Sequence, residues 1–320
     1  MRILVTGGTG FFGKSLIRYW EKANSHKPSY TVCVMTRDPN SFLSKYPEFT
    51  KLPWLSFHKG DILHPSSLPR SEGFTHLIHA ATDSTLGPQL SPLERYTQIV
   101  DGTRNLLDYA VTQKIPRFLL TSSGGVYGPQ PQEMSQIHES FLGMPDPLNT
   151  NNTYSIAKRC AEHLCALYQE RYGLEVVLAR CFAFVGRDLP LNVHFAIGNF
   201  INDALTQAEI TVGGDGTPIR SYMDQRDLAH WLSQLLANGQ AGQAYNVGSD
   251  QPITIKDLAH LVRDVLAPNK SVRILGHASA QNFRNLYVPS IQKAQSELSL
   301  CLDYSLQESI KETAKFAMIK

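Results

Sequence analysis

Side chains suited to proton transfer occur at two places in the chain. The apolar run RFLLTSS, typical of a buried strand, ends in the hydroxyls of Thr121, Ser122 and Ser123. Farther along, Tyr154 and Lys158 stand in the stretch TYSIAK, and their spacing puts both on one face of a helix. A tyrosine beside an ammonium can exchange a proton with an oxygen that a serine hydroxyl holds. These residue types therefore predict acid–base chemistry at an alcohol or a ketone.

Each of these side chains has a separate expected role. Oxidising an alcohol needs a base for its proton while a nicotinamide takes the hydride, and reducing a ketone needs an acid. Tyr154 would transfer this proton, and Ser123 would hydrogen-bond the reacting oxygen. Lys158 would hold the cofactor ribose beside Tyr154 and, with the nicotinamide charge, move the tyrosine pKa down from about 10. Ser122 is expected to face the same cofactor crevice, because ligands bind at the carboxyl ends of parallel strands.

The N-terminal residues contain the elements that such a cofactor needs. An apolar strand pattern at 3–5 leads into a spaced glycine triplet, and an amphipathic helical pattern follows at once. In this context the glycines allow a tight turn and a close approach of backbone to pyrophosphate, while the helix N-terminus favours phosphate. The predicted cofactor contacts here are Gly7, Gly10, Phe11, Phe12 and Gly13.

The end of the second strand decides between NAD and NADP. Enzymes that use NAD usually place an acid here to accept from the ribose 2′-hydroxyl. After the strand at 30–35 the chain has Thr36 at that position, followed by Arg37 and Asp38. The Arg37 guanidinium suits a 2′-phosphate in charge and shape, which favours NADP. In the alternative, Arg37 is solvated, Asp38 binds the ribose, and the cofactor is NAD.

Two further strand ends are expected to line the cofactor. Asp61 and Ile62 follow a short strand at 55–58, and Asp61 either accepts from the adenine amino group or serves as a turn residue. Ala80 and Ala81 end the apolar strand HLIH, and their small side chains would let the cofactor lie against backbone. His79 in this strand is expected to be structural.

Composition bounds the class of protein. The chain has 320 residues, of which 42% are hydrophobic and 18% charged, enough for one large α/β domain or two unequal lobes. A net charge of +2 argues against nucleic acid or a membrane surface as partner. The 5 cysteines, an odd number without framework spacing, predict reduced thiols in a cytoplasmic protein, with no metal site. No apolar run approaches the about 18 residues of a membrane span, and no signal peptide is expected.

At this point the chain resembles the extended short-chain dehydrogenases/reductases, in particular the nucleotide-sugar epimerase/dehydratase group. The resemblance covers nearly the whole chain. It implies a catalytic set of Ser123, Tyr154 and Lys158, a Rossmann-type doubly wound parallel sheet and a nucleoside-diphosphate sugar as substrate. The matching motifs are TGGTGFFG (6–13), GDI (60–62), HAA (79–81), SSGGVYG (122–128), YSIAK (154–158), GDGTPIRSY (214–222) and YNVG (245–248).

A change of pattern after residue 180 predicts a second, smaller mixed α/β lobe that binds substrate. We expect residues 1–180 and about 226–250 to form the NAD(P)-binding domain, and 181–225 and 251–320 to form the lobe. Helices are expected at 197–206, 254–266, 290–298 and 305–317, and an edge strand at 244–247. Asp227 is expected to begin the helix that follows it.

The resemblance also implies partners. Arg220 and Arg284 match family arginines that bind the substrate diphosphate, which two guanidinium groups suit. Solvated surface arginines are the alternative. By analogy with relatives, helices at 95–113 and 152–171 would join two copies of the chain as a homodimer.

Two glycines limit the reaction. Sugar-nucleotide 4,6-dehydratases of the family carry Asp-Glu directly after the catalytic hydroxyl, and the related decarboxylases carry a Glu there. This chain has Gly124 and Gly125, whose hydrogens cannot move the protons that those reactions need. The chain is therefore not expected to be a dehydratase or a decarboxylase, and Gly124 is expected to lie against substrate.

Hydride transfer at C4 of the sugar remains. A 4-keto-sugar-nucleotide reductase is the preferred hypothesis, because Arg37 favours an exchangeable NADPH. A 4-epimerase with tightly bound NAD is the alternative. A non-catalytic NAD(P)-binding regulator is disfavoured, since such proteins commonly lose the tyrosine or the lysine. A reductase of a phenolic or steroid ketone is disfavoured too, since an apolar substrate needs no phosphate clamp.

Overall fold

The computed structural model describes residues 1–70, 73–82, 90–193, 195–277 and 285–318. Its strands are β1 (Arg2–Thr6), β2 (Thr31–Thr36), β3 (Leu55–Lys59), β4 (His76–His79), β5 (Arg117–Ser123), β6 (Glu175–Cys181), β7 (Phe184–Val185), β8 (Ile210–Val212), β9 (Ile219–Arg220), β10 (Met223–Asp224), β11 (Gln243–Val247), β12 (Ile253–Thr254), β13 (Val272–Ile274) and β14 (Leu286–Tyr287). Its helices are α1 (Phe11–His26), α2 (Pro39–Lys45), α3 (Pro92–Thr112), α4 (Thr153–Tyr172), α5 (Ala196–Thr206), α6 (Gln225–Asn238), α7 (Ile255–Leu266), α8 (Gln292–Leu298) and α9 (Leu306–Ala317). Short 3₁₀ helices cover Pro47–Lys51, Pro65–Ser67, Gly124–Tyr127 and Thr150–Asn152.

A seven-stranded parallel sheet organises the fold, in the order β11-β6-β5-β4-β1-β2-β3. Its inner strands read as continuous apolar runs because helices cover both faces. The strand order reverses between β1 and β4, and a doubly wound sheet binds its ligand at the carboxyl ends beside such a switch point. The predicted Rossmann-type α/β fold is confirmed, and β11 is the expected edge strand.

Helix α1 shows how sequence pattern becomes packing. Its apolar positions Leu16, Ile17 and Trp20 are almost completely buried. Full burial of each such side chain stabilises the fold by about 1.5–3 kcal/mol. The indole N–H of Trp20 donates to Ser233 Oγ of α6 at 3.0 Å, so the one polar atom of the side chain is also satisfied.

Small sheets and helices lie in the chain between β6 and β11 and after β11. Strand β9 pairs antiparallel with β12 and parallel with β14, β13 pairs with β8, and β10 pairs with β7. The helices expected near 197–206, 254–266, 290–298 and 305–317 are confirmed as α5, α7, α8 and α9. The assignment of these segments to a substrate-binding lobe stays a prediction.

Asp227 lies in the first turn of α6 as expected, but it is not the residue that caps the helix. Asp224 is the N-cap, and its carboxylate accepts from the backbone N–H of Arg226 at 2.7 Å. The Asp227 carboxylate instead accepts from the backbone N–H groups of Asp303 and Tyr304, at 3.2 and 3.3 Å. Burial raises the pKa of Asp227 to about 7.

A buried charge cluster ties α1 to the segment after β7. The Asp188 carboxylate, with its side chain 2% exposed, pairs with Arg18 and lies 3.3 Å from Lys14 Nζ. The Gln225 amide of α6 donates to the same carboxylate at 2.6 Å. Burial alone would raise the pKa of Asp188, but the charges of Lys14 and Arg18 lower it overall. Asp188 is therefore ionised and joins three segments.

Replacing Asp188 with Ala is expected to lower the free energy of unfolding by about 3 kcal/mol, because it leaves buried cations unpaired. Since the folded pKa is depressed, this stability is present above the unfolded pKa and fades as pH falls through the folded pKa. Urea denaturation at pH 7 and pH 3 measures both effects. Glu209→Ala breaks the exposed ion pair with Arg273 and should cost under about 1 kcal/mol. Equal losses for the two variants would contradict the assignment.

Candidate active site

The ends of β1 and β4 meet at Gly7. Gly7 has a φ of +75°, and a Cβ on it would lie 2.3 Å from the carbonyl oxygen of Ala80 and 2.6 Å from the backbone nitrogen of Ala81. Glycine alone satisfies both this backbone angle and this approach. The predicted contacts Ala80 and Ala81 therefore lie beside the glycine turn, where bare backbone suits a pyrophosphate.

The N-terminus of α1 follows the glycine turn. Gly10 is its N-cap, no side chain caps the helix, and the first turn holds no acidic residue. Its N–H groups and the positive end of the helix dipole suit a phosphate. Phe11 is buried and Phe12 half-buried, and Gly13 packs so closely on Gly8 that a Cβ would come within 2.1 Å of its Cα. These residues fit a dinucleotide cofactor, and Gly8 is a packing residue that sequence reasoning missed.

Gly7→Ala is expected to weaken cofactor binding by roughly tenfold or more, because the new Cβ must displace the backbone at Ala80 and overpacking costs about 1–3 kcal/mol. Fluorescence titration with NADH and with NADPH measures the loss. Gly173→Ala is the matched control, since Gly173 has a φ of +68° and no atom within 4 Å of the new Cβ. This control should lose about 1–2 kcal/mol of stability and bind cofactor normally. Normal binding by Gly7→Ala would contradict the placement.

Arg37 and Asp38 follow β2 directly and are both exposed. The Asp38 carboxylate accepts from the backbone N–H of Ser41 at 3.0 Å as the N-cap of α2. Asp38 is thus engaged in capping α2, and the exposed Arg37 directly follows β2. The preference for NADP over NAD stays a prediction.

Asp61 and Ile62 form a turn after β3. One Asp61 carboxylate oxygen accepts from the backbone N–H of Leu63 at 2.9 Å. Asp61 therefore has the turn role that was one of the two roles expected from the sequence. Ile62 is buried, and a Cβ on Gly102 of α3 would lie 2.5 Å from its Cδ1. Ile62 therefore fixes α3 against this turn, and contact of either residue with adenine stays a prediction.

Lys158 is a buried cation at the centre of the site. Its side chain is held by two neutral oxygens, the carbonyl of Thr121 and the hydroxyl of Thr82, each 2.8 Å from Nζ. The residue is 3% exposed. Burial lowers the pKa of Lys158 to about 8, so the ammonium is charged at neutral pH and loses its proton in mild base.

Tyr154 shares the helix face of Lys158, as predicted, and Nζ lies 5.9 Å from the centre of its ring. The expected lowering of its pKa does not occur in the protein alone. Burial raises the pKa of Tyr154 to about 12, with the hydroxyl of Ser123 and the charge of Arg95 acting weakly against it. Desolvation outweighs the nearby charges, so Tyr154 is a protonated donor at neutral pH.

The hydroxyls of the two strand-end serines have different hydrogen-bond partners. Ser123 Oγ accepts from the backbone N–H of Gly125 at 3.1 Å and interacts with the phenol of Tyr154. Ser122 instead donates to the Glu162 carboxylate of α4 at 2.5 Å, and Glu162 pairs with Arg180 at 2.8 Å. The Ser122 hydroxyl is therefore engaged with α4, and its expected position facing the crevice stays a prediction.

His79 is structural, as expected. Its ring nitrogens lie 2.8 Å from the hydroxyl of Thr6 and 3.2 Å from the hydroxyl of Thr103. Burial lowers the pKa of His79 to about 3, so the ring is neutral. A neutral imidazole with both nitrogens partnered has no free group for catalysis.

Aromatic side chains occupy the space above Gly124. A Cβ on Gly124 would lie 2.7 Å from Phe182 Cζ and 2.7 Å from the hydroxyl of Tyr287. On Gly125 a Cβ would lie 2.5 Å from the hydroxyl of Ser155. Sequence reasoning missed Phe182 and Tyr287, because neither lies in a recognised motif. The fold brings Phe182 here from just after β6 and Tyr287 from β14.

Arg220 is half-buried on β9, and Arg284 lies outside the described residues. The Arg220 guanidinium donates to the carbonyls of Ile219 and Asn285, each at 2.8 Å. Among the residues that the structure describes, no carboxylate forms an ion pair with it, and burial lowers its pKa. A half-buried guanidinium without a counter-ion is suited to an anion.

The chain belongs to the NAD dependent epimerase/dehydratase family, whose model matches residues 3–248. It is 29% identical over 313 residues to UDP-glucuronic acid decarboxylase 1 of Arabidopsis thaliana, covering 97% of this chain and 68% of that protein. It is 28% identical over 273 residues to dTDP-D-glucose 4,6-dehydratase of Dictyostelium discoideum, covering 82% of this chain and 62% of that protein. The expected family is confirmed.

Solved structures give the same fold. A dTDP-glucose 4,6-dehydratase of Streptomyces venezuelae with NAD bound has a TM-score of 0.84 and 25% identity, over 100% of this chain and 98% of that one. A UDP-glucuronic acid 4-epimerase of Bacillus cereus in complex with NAD has a TM-score of 0.82 and 22% identity, over 100% and 99%. At 22% identity, the likeness to the Bacillus cereus epimerase shows the fold alone.

Within the described ranges, no helix has the length and apolar character to cross a bilayer. No group of three or more histidine, cysteine, aspartate or glutamate side chains is arranged there to hold a metal ion.

Proposed function

We propose that this protein reduces a 4-keto sugar carried on a nucleoside diphosphate, with NADP as the preferred cofactor. The observation that carries the proposal is the hydroxyl and ammonium set of Ser123, Tyr154 and Lys158 with bare backbone at Gly124 and Gly125. This set can move one proton at one oxygen. Aromatic and hydroxyl side chains fill the space that a carboxylate on either glycine would need.

The proposed reaction uses each of the three side chains once. A bound nicotinamide cofactor supplies the hydride that reduces the C4 carbonyl. Ser123 donates a hydrogen bond to the carbonyl oxygen, and Tyr154 gives that oxygen its phenolic proton. The Lys158 ammonium stabilises the phenolate that remains, which regains its proton from solvent. Ketone, hydride and proton together give the alcohol, so atoms and charge balance.

The names of the curated relatives point to decarboxylation and dehydration, and the site chemistry argues against both. Those reactions need a further acid or base beside the catalytic hydroxyl, as the family resemblance implies. The chain offers hydrogen atoms at 124 and 125, and the nearby groups are the neutral hydroxyls of Ser155 and Tyr287. An identity of 29% allows such a difference in reaction within one fold.

The substrate class follows from family membership and charge. Arg220 has a half-buried guanidinium without a carboxylate partner among the described residues, which supports binding of a diphosphate. An apolar phenolic or steroid ketone would leave that charge unused. A homodimer through α3 and α4 is proposed by analogy with relatives only.

The first test identifies the cofactor and the reaction together. The nucleotide released from denatured protein is identified by mass before and after dialysis, and 4-keto sugar nucleotides are then screened with NADPH and NADH. Under this proposal, we expect the purified protein to release no nucleotide, to turn over a keto sugar, and to reduce it faster with NADPH than with NADH. NAD that survives dialysis, with interconversion of C4 epimers, would establish the epimerase alternative instead. A Tyr154→Phe variant that binds cofactor and keeps full biological activity would establish the regulator.

Arg37→Ala is expected to raise KM for NADPH about tenfold while changing KM for NADH little, because one charge-assisted contact to a phosphate contributes about 1.5–3 kcal/mol. Steady-state kinetics with each cofactor measures the ratio. Lys27→Ala removes an exposed cation before β2 and should leave both values unchanged. An equal change of KM for both cofactors in Arg37→Ala would contradict a 2′-phosphate contact.

The pH profile of reduction should follow Lys158. Its pKa of about 8 keeps the ammonium charged below that pH, and the Tyr154 pKa of about 12 keeps the proton donor in place throughout. The value of kcat/KM should therefore be level from pH 6 to 7 and fall as pH rises through about 8. A Lys158→Arg variant keeps its charge and should be slower but level to pH 10. A level wild-type profile to pH 10 would contradict this role.

A further inference from the structure

A buried carboxylate joins α4 to two strands of the sheet beside the candidate site. Glu162 of α4 is 7% exposed, and one of its oxygens accepts from Ser122 Oγ of β5 at 2.5 Å. Arg180 of β6 donates to the same carboxylate from Nε, 3.1 Å from Oε1, and from Nη2, 2.8 Å from Oε2. Ser122 and Arg180 are in register on neighbouring strands. The position of the carboxylate is therefore fixed from both strands.

Arg180 is itself held in place. Its Nη1 donates to the hydroxyl of Tyr127 at 2.9 Å, and this hydroxyl donates to Asn246 Oδ1 of β11 at 2.8 Å. The Arg180 side chain is 16% exposed. A guanidinium with buried partners on both sides keeps one orientation, and so does the carboxylate that pairs with it.

Glu162 lies near the buried ammonium without bonding to it. In α4 it follows Lys158 by one helical turn and Tyr154 by two, so the three side chains share one face of the helix. Lys158 Nζ bonds to two neutral oxygens, and the oxygens of Glu162 bond to the serine and the arginine. The carboxylate can therefore act on Lys158 through its charge, while the ammonium remains available to the site.

The groups around Lys158 leave Glu162 as the source of negative charge. Burial lowers the pKa of Lys158 most, and Cys181 of β6, Glu162 and Cys165 of α4 act against burial. Burial raises the pKa of Cys181 to about 12 and also raises that of Cys165, so both thiols are neutral. His79 of β4 is neutral as well, because burial lowers its pKa to about 3.

We propose that Glu162 is a positioning residue, whose fixed carboxylate keeps the buried Lys158 ammonium charged without bonding to it. The charge of the ammonium is then available to the phenolate that Tyr154 forms. A carboxylate free to move would pair with the ammonium and cancel this effect, which the hydrogen bonds from Ser122 and Arg180 prevent. The proposal rests on the reduction proposed above.

The direct test measures the titration of Lys158 by NMR of the Cε atoms of ¹³C-labelled lysine, with the signal assigned by its loss in Lys158→Arg. Glu162→Gln keeps the shape of the side chain and removes its charge, so Lys158 should titrate about one pH unit lower than in wild type. A merely structural role predicts the opposite sign, because a loosened helix admits water and raises the pKa of a buried lysine. Glu170→Gln removes an exposed carboxylate from the same helix and should leave the titration unchanged.

The reduction assay should follow the titration. In Glu162→Gln the fall of kcat/KM should begin about one pH unit lower than in wild type, which gives a roughly threefold loss at pH 7.5 and little loss at pH 6. Glu170→Gln should keep the wild-type profile. A Lys158 titration that moves while the profile of kcat/KM stays in place would overturn the catalytic part of the proposal.

The outcomes separate this inference from the function on which it rests. A wild-type protein that reduces no keto sugar overturns the proposed function, and the NMR titration still decides the role of Glu162. A titration in Glu162→Gln that equals or exceeds that of wild type overturns the proposal.

A second variant covers the case in which Glu162→Gln does not fold, since it leaves the buried Arg180 without a counter-ion. The double variant Glu162→Gln/Arg180→Met replaces the whole pair, which folded proteins often tolerate. Its Lys158 should also titrate below wild type, because the negative charge that acts on the ammonium is gone. A double variant in which Lys158 titrates as in wild type, or higher, overturns the proposal.

Discussion

The burial of one ammonium group governs the candidate site. Lys158 loses nearly all contact with water and is held by neutral oxygens at the ends of β4 and β5. Such burial is costly for a charge, and it lowers the pKa of Lys158 to about 8. The same low dielectric strengthens the effect of the ammonium on any negative charge that forms beside it. An ammonium held in this way would stabilise a phenolate that forms beside it more than it stabilises the resting protein.

The protonation state of Tyr154 and the pairing of Glu162 are both compatible with a charged Lys158. Tyr154 stays protonated because burial raises its pKa, so charge separation occurs only when the proton leaves. The carboxylate of Glu162 lies on the same helix but is paired with Arg180 and Ser122. A carboxylate free to approach Lys158 would neutralise it, and the bare backbone after Ser123 provides none.

Family membership and reaction are separate questions for this chain. The match to the NAD dependent epimerase/dehydratase family and the fold agree over the doubly wound sheet. In our proposal the reaction depends on a few atoms beside Ser123, where the chain has Gly124 next to Phe182 and Tyr287, and Gly125 next to Ser155. Substitutions of this kind leave sheet and helices unchanged, so overall similarity is a poor guide to the proton transfers that a site supports.

Local pattern in the sequence was enough to predict the glycine turn at Gly7, the strand that ends in Ser123 and the shared helix face of Tyr154 and Lys158. These features depend on neighbours in the chain, and the periods of strand and helix carry them. Only the tertiary structure shows the hydrogen bond from Ser122 to Glu162, the raised pKa of Tyr154 and the position of the Tyr287 hydroxyl beside Gly124. Each of these depends on burial or on residues far apart in the chain, and spacing along a sequence contains neither.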